Sequence, residues 1–180
     1  MLRWISQTTL NALGWKVNGD PSNEIKKKLY IVVPHTSNMD FFLGMLVKWA
    51  KGIKVNFLGK KSLFFPPLGW LLTYMGIVPV KKKSNQINEI IALYQSRETM
   101  SFGLAPEGTR SRVEKFKSGF YYIAHGAKIP VILVTFDFKN KRVTFREPYY
   151  VSDDKDKDMN YIQDYFEGVI GYHAKDSYRT

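Results

Sequence analysis

The chain of 180 residues contains no cysteine, which excludes disulfides, thiolate metal ligands and a cysteine nucleophile together. Any acyl chemistry it performs proceeds without an enzyme thioester. No stretch approaches the ~20 consecutive apolar residues that a membrane-spanning helix needs, and no charged start, apolar centre and small-residue cleavage site marks a secretory signal. The expectation is a chain that does not cross a bilayer. G-x-S-x-G is missing, which speaks against a serine hydrolase, and nothing resembles H-E-x-x-H, so no metal site is expected. Histidine is scarce, at three residues, and acidic residues are few, 16 against 27 Lys and Arg, for a formal net charge of +11.

The basic surplus is uneven. Residues 1–150 carry 23 Lys and Arg against 9 Asp and Glu, whereas residues 151–180 carry 4 against 7. Such a body favours an anionic partner: nucleic acid, an anionic bilayer surface or a phosphorylated co-substrate. Charge alone does not choose among them. With 44% hydrophobic and 15% aromatic residues, the chain can fill one core but not two, so residues 1–180 read as a single domain.

Strands and helices alternate along that domain. Apolar spacing predicts an N-terminal amphipathic helix over 2–17, within a segment 1–20 suited to a membrane interface. Asn18-Gly19-Asp20-Pro21 marks a turn. Further elements are a strand at 29–33, a helix over 40–51 ended by Gly52, strands at 54–58 and 77–80, a helix from Lys81 to Arg97, and a strand at 100–105. A helix over 120–125 stopped by Gly126 follows, then a hairpin of 130–138 with 142–146, a charged linker over 152–158, and a last helix over 161–174 within the C-terminal segment 159–180. This order implies an α/β fold with a largely parallel, mixed central sheet flanked by helices.

Two polar blocks leave strand ends, where open α/β sheets bind ligands. The first is His35-Thr36-Ser37-Asn38-Met39-Asp40. Asp40, in the first helical turn, can reach back to one imidazole nitrogen and leave the other free as a general base. The same residues also match the capping box S-x-x-D, in which Asp40 only satisfies backbone donors. The second block is Pro106-Glu107-Gly108-Thr109-Arg110-Ser111. Gly108 permits a tight turn, Arg110 can grip a phosphate through two parallel hydrogen bonds, and Glu107 can either hydrogen-bond acceptor hydroxyls or hold the loop; a surface turn with Arg110 paired to Glu107 or Glu114 is the plainer reading. Lys81-Lys82-Lys83 leaves a third strand end.

The order of His35-x-x-x-x-Asp40, then 76–81 (GIVPVK), then 106–111 (PEGTRS), then 129–134 (IPVILV) resembles the four sequence blocks of the glycerolipid acyltransferase family. Phe116-Lys117-Ser118-Gly119 is similar to that family as well, and the resemblance spans roughly residues 29–136. It implies the α/β fold of that family and transfer of a fatty acyl group from a thioester donor, acyl-CoA or acyl carrier protein, to the hydroxyl of a lysophospholipid such as 1-acylglycerol-3-phosphate. By that resemblance His35 is the base and Asp40 orients it, while Glu107, Gly108, Thr109 and Arg110 bind the acceptor phosphate with Lys81 assisting. No cofactor is bound permanently, because the thioester is a co-substrate. Three positions depart from the family pattern: Lys81 stands where Arg is usual, Ala105 where Phe is frequent, and Pro34 where Asn is common. They keep a lyso-aminolipid or another lipid alcohol open as acceptor.

The hydrophobic segments then suggest where the protein works. The helix over 2–17 and the apolar segment 63–74, flanked by Lys60-Lys61 and Lys81-Lys82-Lys83, have the make-up of interfacial surfaces. Part of 63–74 is equally suited to lining an acyl-chain tunnel or to plain core packing. The expected location is cytoplasmic, attached peripherally to an anionic inner membrane face. His125 near a helix end and His173 in the last helix read as structural. The rival classes are a basic nucleic-acid-binding module, which the order of the blocks argues against, and a lipid-binding protein without turnover.

Overall fold

The computed structural model of the chain describes residues 1–60, 64–80 and 86–179. In chain order the elements are α1 (Leu2–Ala12), β1 (Lys16–Asn18), β2 (Lys27–Val33), α2 (Met39–Lys51), β3 (Asn56–Lys60), α3 (Leu68–Tyr74), β4 (Ile77–Val80), α4 (Gln86–Ser96), β5 (Met100–Leu104), α5 (Gly119–Ala127), β6 (Val131–Asp137), β7 (Arg142–Phe145) and α6 (Lys155–Tyr165), followed by a 3-10 turn at Ala174–Asp176. Lys61 and Lys81-Lys82-Lys83 lie outside the described residues.

One sheet of seven strands, in the order β1-β7-β6-β2-β5-β3-β4, organises the domain. Its neighbours pair in parallel except in the β6–β7 hairpin. The sheet is therefore mixed but mostly parallel, as the alternation of elements implies. Strand β2 lies between β6 and β5 and is apolar on both faces, which requires cover on both sides. Side chains alternate along it. Leu29, Ile31 and Val33 join a buried cluster with Ile90 and Tyr94 of α4, Phe120 and Ile123 of α5, and Ile162 of α6. Tyr30, with Val32 packed beside it, joins the opposite cluster, which holds Leu10 of α1, Leu43 and Val47 of α2, and Val134 and Phe136 of β6.

The element boundaries differ from the sequence pattern at both ends of the chain. The N-terminal helix stops at Ala12 rather than 17, and residues 16–18 form an edge strand on β7. Gly14 at φ +78 reverses the chain there, a conformation that costs glycine little. At the other end, the stretch read as a linker over 152–158 already contains the start of α6. Asp154 caps that helix by accepting from the Lys157 amide at 3.0 Å, and Asp158 is wholly buried, accepting from Ser152 N–H and from the hydroxyls of Ser152 and Tyr149. The helix ends at Tyr165, so His173 sits outside it, at the start of the 3-10 turn. Gly126 does not stop α5. The helix runs through it, because a bare Cα is what lets Ile91 of α4 pack against α5.

Tyr94 ties the helical layer to the sheet. Its ring is 1% exposed, and its hydroxyl donates to Lys28 O at 2.7 Å and accepts from Phe102 N–H at 3.1 Å. Removing the hydroxyl strands two buried backbone groups of β2 and β5. Tyr94→Phe is accordingly expected to lower unfolding stability by about 1–3 kcal/mol in urea titrations; an unchanged midpoint and slope would contradict this anchoring role.

Candidate active site

His35 stands two residues beyond the end of β2, and α2 begins four residues later at Met39. Asp40 falls in the first turn of α2, where a carboxylate is favoured by the helix dipole. It is 4% exposed. Its Oδ2 accepts from the Thr36 amide at 2.7 Å and the Ser37 amide at 2.8 Å, and stands 3.1 Å from His35 Nδ1. Oδ1 is buried with no hydrogen-bond partner among the described residues. The two readings of this block thus coexist. Asp40 does satisfy backbone donors, although Ser37 Oγ accepts from Met39 N–H at 3.2 Å rather than completing the reciprocal box. The same oxygen also faces the imidazole. With Nδ1–H held by the carboxylate, Nε2 carries the lone pair, and the ring is one-third exposed at 32%.

The second block meets the first through strand pairing. β2 and β5 are parallel neighbours with Ile31 opposite Leu104, so the segments leaving them run side by side. Glu107 emerges next to His35, and its Oε2 accepts the His35 backbone N–H at 2.9 Å. Glu107 is 3% exposed and does not line the adjoining cavity. Its carboxyl is turned towards the backbone of the His35 loop. Burial pushes its pKa from 4.5 up to about 7, with the nearby Asp40 charge adding to the rise and the His35 contacts opposing it.

Beyond His35 opens a cavity of about 600 Å³ between α2 and the sheet. Asp40, Phe41, Gly44, Val47 and Lys48 line it from α2, a spacing that keeps them on one helical face and extends it about 12 Å along the axis. Val32, Val55, Phe57, Val134 and Phe136 line it from the sheet. The walls are mostly apolar. Gly44 and Gly103 are among the lining residues; a Cβ at Gly44 would stand 3.6 Å from the Phe136 ring, and one at Gly103 would stand 2.7 Å from that of Phe57. On the same helical wall, burial lowers the pKa of Lys48, whose ammonium donates to Met75 O at 2.7 Å. Of the described part of 63–74, Leu72 reaches the cavity.

Arg110 borders the same cavity and is exposed, and no described side chain pairs with it. Gly108 and Thr109 are exposed beside it. Gly108 adopts φ +63, and a Cβ there would run into Lys117 Nζ. Lys117, part of the 116–119 stretch to which the sequence assigned no role, is thus a second cation beside this loop; its backbone N–H donates to Pro106 O at 2.9 Å, closing the loop. Lys81, expected at this rim, lies outside the described residues. His125 is remote from the cavity, paired with Asp153 at 2.8 Å. Among the described residues no group of three His, Asp or Glu side chains could hold a metal ion.

The raised pKa of Glu107 gives a stability prediction with a definite sign. The folded state holds this proton up to about pH 7, whereas the unfolded chain releases it near 4.5, so its contribution is full below pH 4.5 and is lost as pH rises to 7. Glu107→Gln keeps a carbonyl acceptor for His35 N–H but cannot ionise. Thermal melts should show the variant gaining stability over wild type between pH 5 and pH 8; a gap between the two that does not change with pH would refute the assignment.

The chain has likenesses among known proteins. The family model described as Acyltransferase matches residues 15–137. No curated protein matches the chain. Among solved structures it is similar to the crystal structure of the 1-acyl-sn-glycerophosphate (LPA) acyltransferase PlsC from Thermotoga maritima, at 19% identity, covering 91% of this chain and 74% of that one with a TM-score of 0.64. At that identity the likeness establishes the fold. The family model spans well over half of the chain and takes in both the His35 and the Arg110 blocks, and the chain accordingly belongs to the acyltransferase family.

Proposed function

We propose that this acyltransferase moves a fatty acyl group from a thioester donor, acyl-CoA or acyl carrier protein, to the hydroxyl of a lysophospholipid such as 1-acylglycerol-3-phosphate. The observation that carries the proposal is the imidazole of His35, fixed through Nδ1 by Asp40, at the mouth of an apolar cavity bordered by a free guanidinium. His35 Nε2 takes the proton of the acceptor hydroxyl as its oxygen attacks the thioester carbonyl. The tetrahedral intermediate collapses with cleavage of the C–S bond, and the departing thiolate recovers the proton from the imidazolium. No enzyme-bound acyl group forms, in keeping with the absence of cysteine.

Each part of the site has a task in this scheme. Asp40 keeps the proton on Nδ1, and Glu107 braces the loop by holding the His35 amide. Arg110 supplies the planar fork for the acceptor phosphate, with Lys117, Gly108 and Thr109 at the same rim and Lys81 as a further cation. The fork favours a phosphate-bearing acceptor over a lyso-aminolipid. The apolar cavity takes the acyl chain, with Gly44 on its helical wall.

Among the described residues no helix is long and apolar enough to cross a membrane. The protein instead works at an anionic membrane face, on the cytoplasmic side where thioester donors are made. Large apolar side chains are exposed on α1 (Leu2, Trp4, Ile5), on the first turn of α2 (Met39, Phe42) and on α3 (Trp70, Leu71, Tyr74), the kind of side chain that seats a protein in a lipid interface. The formal charge of +11 adds electrostatic attraction to anionic lipid.

Two measurements check this reading. Protein incubated with an acyl-CoA and lysophospholipids in liposomes should yield diacyl product by mass spectrometry, and His35→Ala should lose at least about a hundredfold in rate. Equal rates would reduce Asp40 to a helix cap. In the second, Gly44→Leu adds a side chain towards Phe136, whose ring is 3.6 Å from where a Cβ would stand. It should shift donor preference to shorter acyl chains, and an unchanged chain-length profile would remove the cavity from the account.

A further inference from the structure

The family model ends at residue 137, yet the chain beyond it folds back onto the loop that carries the base. Gly171 is buried, and its backbone approaches so closely that a Cβ there would stand 2.8 Å from Thr36 Oγ1, 2.9 Å from Thr36 Cγ2 and 3.2 Å from Pro34 Cβ. Those are the two neighbours of His35. Two residues later, His173 N–H donates to Thr36 Oγ1 at 3.1 Å.

This contact is held from behind. Phe138 N–H donates to Ile170 O at 2.8 Å, Gly171 N–H to Ser177 Oγ at 2.8 Å, and Asp176 N–H to His173 O at 3.0 Å. Tyr178 is fully buried, its ring centroid 4.2 Å from that of Phe116, whose own N–H donates to Gln163 Oε1 at 3.0 Å. Phe116 directly precedes Lys117, which closes the Arg110 loop. One compact C-terminal knot therefore abuts both functional loops.

Thr36 is gripped from two sides. Its N–H donates to Asp40 Oδ2, the oxygen that faces His35 Nδ1, and its hydroxyl accepts from the C-terminal segment. We infer that residues 170–178 are a positioning segment for the His35–Asp40 pair, acting through Thr36, with Gly171 and His173 as its contact residues. Loops are the mobile parts of a fold, and a catalytic loop keeps productive geometry when neighbouring groups lock it. Gly171 serves this by its lack of a side chain, and His173 by its backbone N–H rather than its ring.

The inference rests on His35 acting as base, and its test separates the two claims. In the full chain, Thr36→Val removes the hydroxyl at constant shape, Thr36→Ser restores it, and Gly171→Ala pushes on the loop. Thr36→Val and Gly171→Ala should each lower kcat for acyl transfer about tenfold or more, with KM nearly unchanged, and Thr36→Ser should recover wild-type kcat. In parallel, side-chain nitrogen NMR of His35 should report one tautomer, protonated at Nδ1, in wild type and Thr36→Ser, and a mixture in the other two variants. Wild-type kcat and a single tautomer in Thr36→Val, with only a lower melting temperature, would overturn the positioning role. Failure of wild type to make product would sink the proposed activity instead, and the tautomer comparison would still decide this inference.

Discussion

The site depends on one oxygen. Asp40 Oδ2 accepts from the Thr36 and Ser37 amides and faces His35 Nδ1, so a single buried atom shapes the loop that leads into α2 and meets the imidazole. Such concentration is stable because the carboxylate sits at a helix N-terminus, surrounded by backbone donors that favour its charge. It also makes the loop vulnerable, since any displacement of residues 34–37 moves the imidazole. Glu107 on one side and the C-terminal segment on the other limit that displacement. The His35 loop is held by groups that arrive from two distant parts of the chain, besides Asp40 close by.

The period of the strands explains why the base opens onto a cavity rather than into solid core. One face of β2 is filled by large side chains from α4, α5 and α6. The other faces α1 and α2, where a cavity of about 600 Å³ lies between α2 and the sheet, with Gly44 and Gly103 among its lining residues. Fold and function meet in this space, because the helix that supplies Asp40 also forms the cavity wall.

What could be read in advance was local. His35 and Asp40 lie within six residues across a strand–loop–helix junction, so spacing alone brings them within reach, and strands such as 29–33 and 77–80 announce themselves by β-branched runs. What escaped depends on adjacency in space. Glu107 read either as a ligand for the acceptor or as a brace for the loop, and which backbone group it holds follows only once β2 and β5 are known to be neighbours. The cavity is assembled from small gaps on many elements, and no one segment signals it. Strand β1 is three residues long and makes no pattern, while α6 was missed at its start because Asp154 among several acidic residues read as a linker rather than as a cap. The bond from His173 to Thr36 spans 137 positions, far beyond any motif.

The central claim is that the acceptor oxygen attacks the thioester directly, with His35 as base and no acylated protein along the way. Intact-protein mass spectrometry of the wild-type chain mixed with an acyl-CoA, first without and then with lysophosphatidic acid, tests this most directly. The account predicts an unmodified protein mass in both mixtures and acylated lipid only when the acceptor is present. An acyl adduct that accumulates on the chain without acceptor and disappears when acceptor is added would contradict it.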